Sequence, residues 1–144
     1  MFGIFSEGKP IKKNNEMVVP SSIIIGDFTE PLYIPISYWS FNDYKRHWIL
    51  SMIQGIDSKT HSALAVSMYE PDFTNFIVVW VMYYHDKNVH IQNKMLFLDE
   101  CPGFTPERIN NFIGERKTHD EDGMKISEWS TDMNSVNTFL ASLR

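Results

Sequence analysis

The chain has 144 residues, of which 43% are hydrophobic, 22% charged and 14% aromatic, and its net charge is −5. That length suits one domain, residues 1–144, with a single sizeable core, and the acidic balance argues against nucleic acid, since phosphate binding needs clustered Lys and Arg. Cys101 is the only cysteine, so an internal disulfide is excluded; no apolar run reaches membrane-helix length, and the opening MFGIFSEGKPIKK has no basic start or cleavage site, so a cytoplasmic protein without membrane partners is expected.

Residues 2–5 form a short apolar stub that can add a strand, and residues 6–16 read as a polar loop. Residues 17–25 and 32–39 are strands separated by a Gly26-Asp27 turn. Pro20 and Pro35 cannot donate to a ladder, so both strands are expected at an edge or at a bulge. Ser40 and Asp43 have capping-box spacing. They precede Tyr44, Trp48, Met52 and Ile56, an apolar stripe at helical spacing, with Gly55 marking the end region.

Three strands follow, at residues 61–70, 75–86 and 88–99. The middle one, NFIVVWVMYYHD, is apolar on both faces, so it is expected to be central and covered on both sides. In the third strand, Val89, Ile91, Met95 and Phe97 share one face. His90, Gln92 and Lys94 open the other toward solvent or a partner. The small residues Ala63, Ala65 and Ser67 of the first strand leave room for a helix. Beyond the Cys101-Pro-Gly turn, Thr105 and Pro106 start a short helix that ends at Gly114. A polar loop, a strand at 124–129 and a final helix capped by Thr131 or Asp132 complete the chain. Mixed strands and helices without βαβ units predict an α+β fold with a mainly antiparallel sheet. Its parts are an N-terminal hairpin, a central three-strand meander and about three helices.

Phosphate loops, nucleophile elbows, zincin helices and CxxC pairs are all missing from the sequence. A two-residue Lys87-Asn88 loop would set His85 opposite His90, a pair two ligands short of an ordinary zinc site. Asp120-x-Asp122-Gly resembles the start of a calcium loop, but its glycine comes too early and the twelfth-position Glu is missing. Cys101 has no histidine fixed beside it. Tyr69, Trp80, Tyr83 and Tyr84 could stack bases, but the meander has few cations. These features favour a protein-binding domain with no enzymatic activity, cofactor or metal. A single-strand-binding module, and a metal-dependent enzyme built on His85, His90 and Cys101, stand as alternatives.

Two longer runs carry a resemblance: HSALAVSMYEPDFTNF at 61–76 and THDEDGMKISEWSTDMNSV at 118–136, together with the opening MFGIFS. They resemble the CdiI immunity proteins of contact-dependent growth inhibition systems. The similarity is to the group whose toxins are like the rRNA-cutting nuclease domain of certain colicins. The resemblance implies a Whirly-like fold and a cytoplasmic protein that neutralises the C-terminal toxin domain of a cognate CdiA effector. A nuclease needs a basic cleft, and an acidic inhibitor gains on-rate and specificity from charge matching. On that electrostatic ground the expected toxin contacts are Asp120, Glu121 and Asp122, with Glu70 and Asp72 near the first meander turn.

Overall fold

The computed structural model describes residues 1–144. The chain forms two four-stranded sheets in which every pairing is antiparallel. The first sheet contains β1 (Phe2–Ser6), β2 (Ile11–Lys13), β3 (Glu16–Ile25) and β4 (Phe28–Pro35). Helix α1 (Phe41–Ser58) leads into the second sheet, ordered β5 (His61–Ala65), β6 (Phe76–His85), β7 (Asn88–Phe97), β8 (Trp129–Asp132), and α2 (Met133–Leu143) ends the chain. Short 3-10 turns occupy Pro71–Phe73 and Leu98–Glu100, and a longer 3-10 segment spans Pro106–Phe112. The α+β class, the hairpin, the meander and three helical elements thus agree with the sequence pattern.

Pro20 is not at a sheet edge. Strand β3 is central, with β4 along one side and β1 and β2 end to end along the other. β1 pairs from Ser21 onward and β2 only as far as Val18, so Pro20 falls in the gap between them. Its missing N–H therefore costs no ladder bond, while its carbonyl accepts from Glu7 N at 2.8 Å. The expected loop at 6–16 contains β2, because Asn14 and Asn15 adopt positive φ (50° and 69°) and close a tight hairpin. The last strand lies at β8 rather than at 124–129.

The core joins both sheets and both helices: Ile23, Ile25 and Ile34 meet Leu64, Trp80, Met82 and Ile91, with Tyr44, Trp48 and Met52 from α1 and Val136 and Phe139 from α2. Helix α1 starts with the expected capping box, Asp43 N donating to Ser40 Oγ and Ser40 N to Asp43 Oδ2. It ends later than expected, at Lys59 in the left-handed region (φ 58°). Gly55 lies inside the helix. Its backbone presses against β5, where a Cβ would run into the His61 carbonyl oxygen and Ser62 Oγ.

Helix propensity alone would favour Gly55→Ala by about 1 kcal/mol. Forcing a methyl against backbone costs more, about 1–3 kcal/mol and sometimes beyond. Urea denaturation of Gly55→Ala is expected to show a net loss of about 1–2 kcal/mol. A gain in stability would show that α1 can shift off β5 without penalty.

Strand β5 is an edge of the second sheet, and side chains seal it. Ala63 N donates to Asn110 Oδ1 (2.8 Å) and Ala65 N to His47 Nε2 (2.9 Å). The Ala63 carbonyl accepts from Ser51 Oγ (2.7 Å) and the Ala65 carbonyl from Trp48 Nε1 (2.8 Å). Four backbone groups that would otherwise template another strand are satisfied by α1 and the 3-10 segment. The buried stripe His47, Ser51 and Gly55 on α1 therefore serves the sheet edge, beside the apolar stripe that serves the core.

Candidate functional site

The candidate residues are spread over the second sheet and the segments that connect its strands. The β6–β7 loop is Asp86-Lys87, with Asp86 at φ 55°, one residue earlier than the sequence suggests. The register therefore sets His90 opposite Tyr83 and His85 opposite Asn88, so the two histidines do not face each other. No group of three or more His, Cys, Asp or Glu side chains is arranged to hold a metal ion. An open cleft of about 780 Å³ is lined by Lys59, His61, Tyr83, His85, His90 and Arg116 among others.

Beside that cleft, Gln92 is fully buried rather than open to solvent. Its Nε2 donates to Glu128 Oε2 (2.7 Å) and to the Lys117 carbonyl (2.9 Å). Arg116 grips the same carboxylate with two bonds, at 2.8 and 2.5 Å. These donors, Arg116 foremost, hold Glu128 below the usual carboxylate range. His90 Nδ1 lies 3.6 Å from Glu128 Oε1. Bidentate Arg pairing and the anchorage of Glu128 to the buried Gln92 make this network a structural pin that fastens the segment before β8 to β7.

Cys101 is buried, and burial followed by the charges of Glu100 and Asp99 raises its thiol pKa. A reactive thiol needs the opposite environment. The base-stacking candidates are also committed elsewhere. Trp80 and Tyr83 are buried, while Tyr84 Oη donates to Ser62 Oγ and Tyr69 Oη to Glu16 Oε1.

The acidic residues expected to meet a partner fall in two places. Asp120, Glu121 and Asp122 are exposed in a turn closed by the His119–Lys125 bridge. Asp120 Oδ1 accepts from Asp122 N (3.0 Å) and Met124 N (2.9 Å), so this carboxylate shapes the loop. Glu121 and Asp122 make no ion pair there. Glu70 and Asp72 are exposed around the Pro71–Phe73 turn, between β5 and β6. No hydrogen bond or ion pair joins the two groups.

The sequence reading missed what lies beside Glu70 and Asp72. β5 pairs with β6 only as far as Ala65–Val79, and β8 pairs with β7 only as far as Ile91. Beyond those limits Val66 N and Ser67 Oγ still bond the backbone of Val78, and β6 and β7 then end as a two-stranded ribbon at the Phe76–Phe97 pair. There Phe76, Met95 and Phe97 are 39%, 48% and 46% exposed, and Phe73 in the adjoining turn is 89% exposed. The opposite face of the ribbon, at Ile77 and Leu96, is buried. The expectation that β6 is covered on both sides thus holds for its middle and fails at its start. Met95 and Phe97, grouped with Val89 and Ile91 by alternation, lie outside the core, beyond the point where β8 ends alongside β7.

Comparison with known proteins places this chain among relatives of defined type. A family model described as the CdiI N-terminal domain matches residues 34–139. A protein named Immunity protein CdiI, from Enterobacter cloacae subsp. cloacae, is 59% identical over 143 residues, 99% of each chain. Among solved structures, a chain of the CdiA-CT/CdiI toxin and immunity complex from Enterobacter cloacae is similar with a TM-score of 0.96 at 59% identity, covering 99% of this chain and 98% of that one.

Proposed function

Because the chain belongs to the CdiI immunity-protein family, we propose that it binds and neutralises the C-terminal toxin domain of a cognate CdiA effector, protecting the cell that makes it. The observation that carries this reading is whole-length likeness to a chain solved within a toxin and immunity complex. Neutralisation here is stoichiometric binding in the cytoplasm, without turnover and without a cofactor. The inert surroundings of Cys101 support a binding role.

The toxin is read as a nuclease. A nuclease cleft must be cationic to hold phosphates, and a net charge of −5 suits an inhibitor that meets it. The scaffold is read as Whirly-like, an antiparallel α+β design. The meander aromatics Tyr69, Trp80, Tyr83 and Tyr84 are hydrogen bonded or buried, which disfavours a role in holding single strands. Asp120, Glu121, Asp122, Glu70 and Asp72 are the proposed acidic contacts, with Asp120 also pinning its own loop.

The test is a kinetic titration against the toxin domain encoded beside this protein. Nanomolar binding, about −12 kcal/mol at ~1 nM, is expected. Glu121→Lys with Asp122→Lys is expected to slow association by about tenfold at low salt, with little change in dissociation. The difference should shrink as salt shortens the Debye length. Unchanged association would remove the 120–122 loop from the contact region, and absence of binding by the unaltered protein would overturn the immunity reading.

A further inference from the structure

We propose that the toxin domain docks on the free end of the β6–β7 ribbon, with Phe73, Phe76, Met95 and Phe97 as the apolar centre and Glu70, Asp72, Asp99 and Glu100 as an acidic surround. This rests on the immunity reading and adds the surface that the partner occupies. Phe76 and Phe97 pair directly across the ribbon with ring centroids 6.2 Å apart. Phe73, at 89% exposure, has no packing role to lose. Contiguous exposed aromatics of this kind mark interaction surfaces, and aromatic anchors inside a polar rim carry most of the energy of a protein interface.

The backbone is also open here. The outer edge of β7 beyond Ile91 has no strand beside it, whereas the β5 edge is sealed by four side-chain bonds. A chain that seals one edge so fully and leaves the other bare next to exposed aromatics presents that end to a partner.

Charge decides which partner fits. Segments 67–78 and 95–105 contain four carboxylates, Glu70, Asp72, Asp99 and Glu100, and no Lys or Arg. Such a field repels the backbone of a nucleic acid and draws a protein whose apolar contact is ringed by Lys and Arg. The first sheet carries another exposed apolar pair on one face, Ile11 and Tyr33. Lys13 shares that face, and its Nζ already covers the Tyr33 ring at 3.2 Å. That patch has the wrong sign for a cationic partner.

The experiment measures toxin-domain binding by unaltered protein, Phe73→Ser, Phe73→Ser with Phe97→Ser, Asp72→Lys with Asp99→Lys, and Tyr33→Ser, each first checked for an unchanged thermal transition. The double Phe variant is expected to weaken binding at least ~30-fold through faster dissociation, and Phe73→Ser alone by about tenfold. The acid reversal is expected to slow association about tenfold. Tyr33→Ser should stay within about twofold, as interface-remote truncations do. Because Phe73 is so exposed, its truncation cannot fail for want of folding. Tight binding by the unaltered protein and equally tight binding by both Phe variants would overturn the docking surface while leaving the immunity reading intact. No binding by any form would overturn both. Self-association of the unaltered protein that Phe73→Ser abolishes, with toxin binding unmoved, would give the patch to a second copy and also overturn the proposal.

Discussion

Trp48→Ala is expected to lower the free energy of unfolding by about 4 kcal/mol, within the range for removing a buried tryptophan. Two losses add. The indole is fully buried, packed against Phe41, Tyr44 and Phe139 with centroids 5.8, 6.2 and 6.3 Å away, and alanine would leave a cavity there. Its Nε1 also donates to the Ala65 carbonyl at 2.8 Å, and that carbonyl lies on the sealed edge with no strand to replace the donor. Trp48→Phe separates the two. It keeps most of the ring packing and is expected to cost about 1–3 kcal/mol, the penalty of one buried acceptor left unmade plus some lost volume. Urea denaturation with an unchanged m-value checks both variants. Equal costs for the two substitutions would mean that the edge bond, and not the packing, dominates.

Acid should weaken the fold through His47. This side chain is buried on α1 and accepts the Ala65 N–H at Nε2, so it must be neutral with its proton on Nδ1. Burial lowers its pKa to about 4. A histidine depressed in the folded state contributes stability that is fully present above its unfolded pKa of ~6.5 and is lost as pH falls through the folded value. Between pH 7 and pH 4 the loss from this one group is about 3 kcal/mol. Glu128, held down chiefly by Arg116, has the same sign at lower pH. His47→Gln isolates the histidine, because an amide oxygen can still accept from Ala65 N and cannot be protonated in this range. Its stability is expected to fall less steeply than that of the parent from pH 6.5 to 4. Parallel profiles would show that His47 is not the group that titrates.

What could be read before the structure was mostly local. The Ser40–Asp43 capping box, the Gly26-Asp27 turn and the Tyr44–Trp48–Met52 stripe depend on neighbours within a turn or two. The β6–β7 register slipped by one because Asp86 and Asn88 flank Lys87, and Asp and Asn accept left-handed geometry about equally well. That single step turns His85 and His90 from a directly opposed pair into a diagonal one. A proline inside a strand points to an edge or a bulge, but the gap between β1 and β2 gives the central Pro20 the same freedom.

The edge seal was out of reach for a different reason. Its donors and acceptors come from α1 and from Asn110, 47 residues after Ala63, and a buried His or Ser in a helix looks like an ordinary polar position. The ribbon end was hidden because an apolar residue in a strand reads alike whether or not a neighbouring strand covers it. Only the lengths of β5 and β8 reveal that Phe76, Met95 and Phe97 are left bare. Glu70 and Asp72 stand out by charge alone, and in the structure they are exposed on either side of Pro71, in the turn that carries Phe73.

Growth of cells that produce the cognate CdiA toxin domain, with and without this protein in the same cytoplasm, tests its biological role most directly. Full growth with the protein present, and arrest without it or with the Phe73→Ser, Phe97→Ser form, is the expected result. Arrest despite a folded, abundant, unaltered protein would contradict its role as the immunity partner of that toxin.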